Sequence, residues 1–159
     1  MGMRKTLTDP VKEKVNCIRN ARQFLLASAC CTSYQPESEA ALVLPWVPAV
    51  VNVAFAVELA FKAILLGGLQ KGDPPPKGHG LKDLFNQLSP GIQASLRADV
   101  PPPSYPKLEQ PSPDPFLDAL TAHADAFVEW RYLHEDDTAE LAASVPFLSR
   151  LAEAALALA

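Results

Sequence analysis

The feature that most restricts this chain is Asn52–Leu66, NVAFAVELAFKAILL, an apolar run that carries a carboxylate and an amine one helical turn apart. Glu58 and Lys62 are four residues apart, so they share a helix face, with the glutamate on the N-terminal side that an ion pair prefers. Phe55 precedes Glu58 by three residues and Leu65 follows Lys62 by three, which places the pair at least partly under cover. Unpaired buried charge costs several kcal/mol or more, so both groups require partners or a ligand. A second segment, Ala126–Glu135, AFVEWRYLHE, repeats the device with Arg131 and Glu135. If the two helices face each other, Glu58, Lys62, Arg131 and Glu135 form a network in which each charge is balanced. Such a network either sets the register of the core or lines a pocket. In a pocket, Arg131 offers phosphate a planar fork and Lys62 a point charge.

Elsewhere the chain is divided by capping residues and proline. Asp9-Pro10 reads as an N-cap with proline at the first helical position. From there Val11, Val15, Ile18, Arg22 and Leu25–Leu26 recur at helical spacing to about Cys31. Tyr34–Glu39 is a loop, and the next helix starts after Pro48, runs through Leu66 and stops at Gly67-Gly68. Gln70–Gly80 is a proline- and glycine-rich connection into LKDLFNQL, whose Leu81, Leu84, Phe85 and Leu88 make one stripe. Ser89-Pro90 starts a short helix through Ile92 and Leu96. Pro101–Pro115 holds seven prolines and reads as an extended surface loop of the length that often borders a site or a partner. Asp114-Pro115 caps a helix that turns Phe116, Leu120, Phe127 and Trp130 inward. A last helix, Ser144 to Leu158, carries Phe147, Leu148, Leu151, Ala155 and Leu158, with Pro146 in its first turn. No run alternates with period two. The expected fold is all-α, an antiparallel bundle of four or five helices with two proline-rich connections, in one domain spanning residues 1–159.

At 159 residues and 48% apolar content, the chain can bury a sizeable core. Its net charge of −4 and lack of a long basic run argue against general capture of a nucleic-acid backbone. Cys17, Cys30 and Cys31 are odd in number and lack CxxC spacing, which disfavours a disulfide framework or a zinc site. Ala40–Leu69 is apolar enough to suggest a membrane span, but Pro45, Pro48, Asn52, Glu58 and Lys62 interrupt it, so a buried core helix is expected and no membrane association. MGMRKTLTDP has no apolar signal core, and a cytoplasmic location is expected.

Among single residues, His134 is the foremost acid/base candidate, since histidine alone titrates unaided near neutral pH. His123 lies eleven residues before it, about 16 Å along a helix and too far to share a metal. His79 orders the start of the LKDLF helix, and Asn52 is a hydrogen-bonding core residue or a donor to a groove. Trp130 and Tyr132 pack rather than stack on bases. Phosphate-cradling glycine loops, HExxH and GxSxG do not occur, and no cofactor or metal is expected.

Taken in order, NxAFAxELAxKAILL, GHGLKDLFNQL and FVEWRYLHE resemble HEPN-domain proteins of prokaryotes. The similarity runs from Asn52 to Glu135 and weakly into the terminal helix. It is carried by Asn52, Phe55, Glu58 and Lys62, then His79, Leu81 and Phe85, then Trp130, Arg131, Tyr132 and Glu135. The resemblance implies a helical bundle that dimerises or binds a protein partner, such as a nucleotidyltransferase or an antitoxin, in a toxin–antitoxin or defence setting. Many members are metal-independent ribonucleases or nucleotide-linked proteins, whose signature is an arginine and a histidine separated by four to six residues. Here only two residues separate Arg131 from His134, which points to a non-catalytic member. The alternatives are a ribonuclease with a displaced site using Arg131 and His134, or a nucleotide-binding domain.

Overall fold

The computed structural model describes residues 6–33, 46–103, 113–123 and 144–159. These form six helices and an all-α bundle: α1 (Pro10–Ser33), α2 (Trp46–Leu66), α3 (Leu81–Gln87), α4 (Pro90–Asp99), α5 (Pro115–Ala122) and α6 (Val145–Leu158). The count exceeds four or five because α3 and α4, divided at Ser89-Pro90, stand as separate short helices. Side-chain oxygens accept from backbone amides at Asp9 (Lys12 N–H), Ser89 (Ile92 N–H), Asp114 (Leu117 N–H) and Ser144 (Phe147 N–H). Each satisfies an amide that the helix itself leaves without a partner.

α2 is the axis of the bundle. Its length and composition alone would let it cross a membrane, yet 61% of its most apolar window is buried inside the fold. It begins at Trp46, two residues before Pro48, rather than after it. Proline is tolerated in a first turn, where its missing amide would have no intrahelical acceptor. α1 lies antiparallel to α2: Leu7 exchanges backbone hydrogen bonds with Gly72 and Asp73 just beyond the end of α2, Phe24 stacks on Phe55 at 5.1 Å, and Ser28 Oγ donates to the Ala49 carbonyl at 2.8 Å.

The contact face of α1 overlaps the stripe of larger apolar residues only in part: Phe24, Leu25 and Cys31 pack against the core, beside the fully buried Ala21 and Ser28. Ala21 and Ser28 are its buried positions, Ser28 against Ala49 of α2, and such small side chains let two helix backbones approach closely. Val11, Val15 and Leu26 point outward, at 72%, 56% and 66% exposure. Helical spacing locates the helix, and the structure assigns its inward side.

An aromatic series ties the remaining helices to α2. Phe61 meets Phe85 of α3 at 6.1 Å, Phe85 meets Phe116 of α5 at 5.2 Å, and Phe116 meets Phe147 of α6 at 5.8 Å. Each contact adds about 0.5–1.5 kcal/mol beyond the area it buries. Arg97 of α4 lies over both Phe85 and Phe116 and grips Asp114 with two hydrogen bonds of 2.7 and 2.9 Å. That grip holds the Asp114 carboxyl below its ordinary range.

α5 is described over Pro115–Ala122, with His123 as its C-cap; Phe127 and Trp130, expected to face inward further along this segment, lie outside the described residues. His123 turns inward at this end. Its Nδ1–H donates to the Ala119 carbonyl at 2.6 Å, and its Nε2 accepts from the Ser144 amide at 2.8 Å. That pair of roles requires the neutral Nδ1–H tautomer. Burial, partly offset by the bond to Ala119, lowers the His123 pKa from its ordinary 6.5. The unfolded chain therefore takes up this proton more readily than the folded one. Stability from His123 is intact above the unfolded value and is lost as pH falls from there through the depressed folded value. His123→Leu, which strands the Ser144 amide, should cost on the order of 1–2 kcal/mol at pH 7.5. The same variant should flatten the decline in melting temperature between pH 7 and pH 5; an unchanged acid slope would contradict this assignment.

Candidate functional site

The embedded charges of α2 meet a third group supplied by the chain that follows. Beyond Leu66 the backbone reverses through Gly67 and Gly68 and returns along α2. Two glycines in the left-handed region, Gly72 (φ 98°) and Gly78 (φ 92°), bracket the rigid run Pro74–Pro76. Only glycine enters that region at no steric cost, so the two positions set where the returning segment bends. Gln87 of α3 anchors it by donating to the Lys77 carbonyl at 3.2 Å.

This course delivers His79 to Glu58. One carboxylate oxygen, Oε1 of Glu58, accepts from Lys62 Nζ at 2.7 Å and from His79 Nδ1 at 2.9 Å. The glutamate side chain is 7% exposed, the lysine 17% and the histidine 79%. A buried carboxylate thus obtains one cation from its own helix and one ring N–H from the segment crossing it, which offsets its desolvation. With Nδ1 bound to the carboxylate, the imidazole presents Nε2 as its other face.

Cys17 of α1 borders the same cluster. Burial pushes its thiol pKa up, Lys62 pulls it down, and the carboxylates of Glu13 and Glu58 add to the rise. A thiol held protonated is a poor nucleophile, so Cys17 serves as a small packing residue here. All three cysteines are free thiols.

Glu58, Lys62, Leu65 and Leu69 follow one another at spacings of four, three and four, a single stripe of α2 and its extension. Where the stripe turns apolar, Leu65, Leu69, Pro74–Pro76, Lys77 and Gln87 surround an open cavity of about 320 Å³. A second cavity of about 230 Å³ lies between Pro101–Pro103 and the start of α6, with Arg150 and Phe147 on its wall.

Of the residues singled out in the sequence, Glu58, Lys62 and His79 come together. Asn52 is half-buried and lies six residues before Glu58, which places it about 240° round the helix and away from that contact. Arg131, His134 and Glu135 lie outside the described residues, as do Trp130 and Tyr132. Among the described residues, the carboxylate of Glu58 is completed by His79, a partner 21 positions away in sequence. Arg97, which clasps Asp114, carried no sequence signal beyond its place on a short helix. Among the described residues no group of three or more histidine, cysteine or acidic side chains is placed to hold a metal ion. Searches of family models, curated proteins and solved structures find no match to this chain.

The charges in the cluster answer one another, so it requires no ligand to be stable. Removing one member should expose that balance. Lys62→Met leaves Glu58 without its cation and should cost roughly 3 kcal/mol, whereas the double variant Glu58→Leu/Lys62→Met should regain most of the loss. His79→Ala, at an exposed ring, should cost under about 1 kcal/mol. Urea denaturation of the unsubstituted chain and the three variants measures all three values, and a double variant no more stable than Lys62→Met would contradict the coupling.

Proposed function

We propose that this chain is a HEPN-like helical module that works by association, with a second copy of itself or with a different protein. A nucleotidyltransferase or an antitoxin is the kind of partner that the family resemblance suggests. The observation that carries the reading is the outward face of α1, where Val11, Val15 and Leu26 stand in solvent on one side of a helix. Single exposed apolar residues are ordinary, but three of them on one side along about four turns mark a surface that gains by being covered. Trp46, also exposed at the start of α2, supplies a second apolar contact. The polar cluster supports the same reading from the other side, because Glu58, Lys62 and His79 satisfy one another and leave no charge in want of a ligand.

A second reading rests on His79. A carboxylate that fixes Nδ1 and leaves Nε2 accessible is the arrangement of a general base, and Lys62 stands beside it. In a ribonuclease built this way, His79 or His134 moves the proton and Arg131 stabilises the developing phosphate charge.

Light scattering of the purified chain, alone and in its natural extract, separates the two. Association is expected to weaken in Val15→Glu and Leu26→Glu while the fold, followed by circular dichroism, is kept. Cleavage of RNA that disappears in His79→Ala or in Arg131→Ala, with no dependence on Leu26, would instead favour the enzyme.

A further inference from the structure

The outward face of α1 has an order that spacing alone reveals once the buried side is known. Val11, Val15, Ile18, Arg22, Leu25 and Ala29 alternate at intervals of four, three, four, three and four, the repeat of a coiled-coil seam. Ile18 and Leu25 are half-buried, Leu25 against the core, whereas Val11, Val15, Arg22 and Ala29 are exposed. The seam is thus covered along one flank and open along the other. On the open flank the next positions are Lys12, Arg19 and Leu26, all exposed. Every exposed charged side chain of α1 is a cation, in a chain whose net charge is −4.

We infer that this face takes a helix from a different protein, amphipathic and lined with carboxylates, and not a second copy of α1. The inference rests on the association reading and names the chemistry of the partner. Two copies of α1 meeting in parallel would set Arg22 against Arg22 at the centre of the seam. Meeting antiparallel, they would set Lys12 and Arg19 of one copy along the same cations of the other. Like charges at such positions oppose pairing, and glutamates at the flanking positions of the partner reverse the sign. An anionic membrane offers charge of the right sign but fits the row less well. Membrane-surface helices keep their cations off the apolar face, and here Arg22 interrupts the apolar row itself.

The probe is a synthetic peptide of several heptads with leucine at the two seam positions and glutamate at both flanks; its own glutamates keep it from self-pairing. Titrated into the full chain and followed by anisotropy, the acidic peptide should bind, and its lysine counterpart should not. Arg19→Glu/Arg22→Glu should weaken the acidic peptide by at least about tenfold and should admit the lysine peptide. Leu26→Asp should weaken the acidic peptide by a similar factor. Both substitutions lie on the surface, and circular dichroism confirms that each variant is folded. Equal binding of the two peptides, or no binding of either, overturns the inference. So does co-sedimentation with phosphatidylserine vesicles in the absence of peptide binding. Light scattering separates this failure from that of the wider reading: a chain that ignores the acidic peptide but dimerises through Trp46 keeps association and loses only the acidic helix.

Discussion

Burial of the Glu58 carboxylate inside an otherwise apolar helix is the constraint around which this bundle is arranged. α2 is covered on nearly every side, and apolar burial supplies the driving force, at roughly 1.5–3 kcal/mol for each large side chain taken from water. An ordinary hydrogen bond contributes about 1 kcal/mol net. The polar contacts therefore do not hold the fold together by their sum. They decide which of several compact packings is adopted, because the wrong one leaves a carboxylate unpaired at a cost of several kcal/mol. Lys62 is available to Glu58 in any helical state of the segment, being one turn away. His79 is not, and its contact requires the chain after Leu66 to double back along α2 and to bend at Gly72 and Gly78. That route in turn places the start of α3.

The same division of labour recurs at the two ends of α5. Arg97 binds Asp114, the N-cap of α5, and His123, which closes that helix, receives the amide of Ser144, the N-cap of α6. Each clasp joins residues far apart in sequence, across the stretches 98–113 and 124–143. Between them run the aromatic contacts of Phe85, Phe116 and Phe147, with Arg97 against two of the rings and His123 against the third. Apolar packing brings these elements close, and the directional bonds fix which turn of each helix meets which.

What the sequence made legible was local. Asp9, Ser89, Asp114 and Ser144 announce helix starts because a cap bonds an amide three residues on, and proline beside it reinforces the signal. Glu58 and Lys62 were readable as a pair for the same reason. His79 reads in the sequence as ordering the start of the LKDLF helix, but its bond to Glu58 depends on a reversal of the chain that no spacing encodes. α1 was placed correctly and its stripe of larger apolar residues identified. The fully buried positions, however, are Ala21 and Ser28, beside the half-buried Phe24, Leu25 and Cys31, and the small size of Ser28 matters only against Ala49 of α2. Likewise His123, the C-cap of α5, accepts from the Ser144 amide, 21 residues further on. Local propensity cannot contain that information.

The small inward face and the apolar outward face of α1 have one origin. A helix that packs closely on α2 must present Ala21 and Ser28 to it, and a three-and-four spacing then carries Val11, Val15 and Leu26 round to the other side. Had the core alone decided these positions, polar residues on the outward face would serve the bundle equally well and keep it from adhering to other surfaces. The outward valines and leucine contribute little to the packing of the bundle, so their explanation has to be sought outside it. The cations that accompany them narrow that explanation further, since they oppose a like face and favour an acidic one. The polar interior and the apolar exterior are in this sense complementary: the first is closed by Lys62 and His79, and the second remains open.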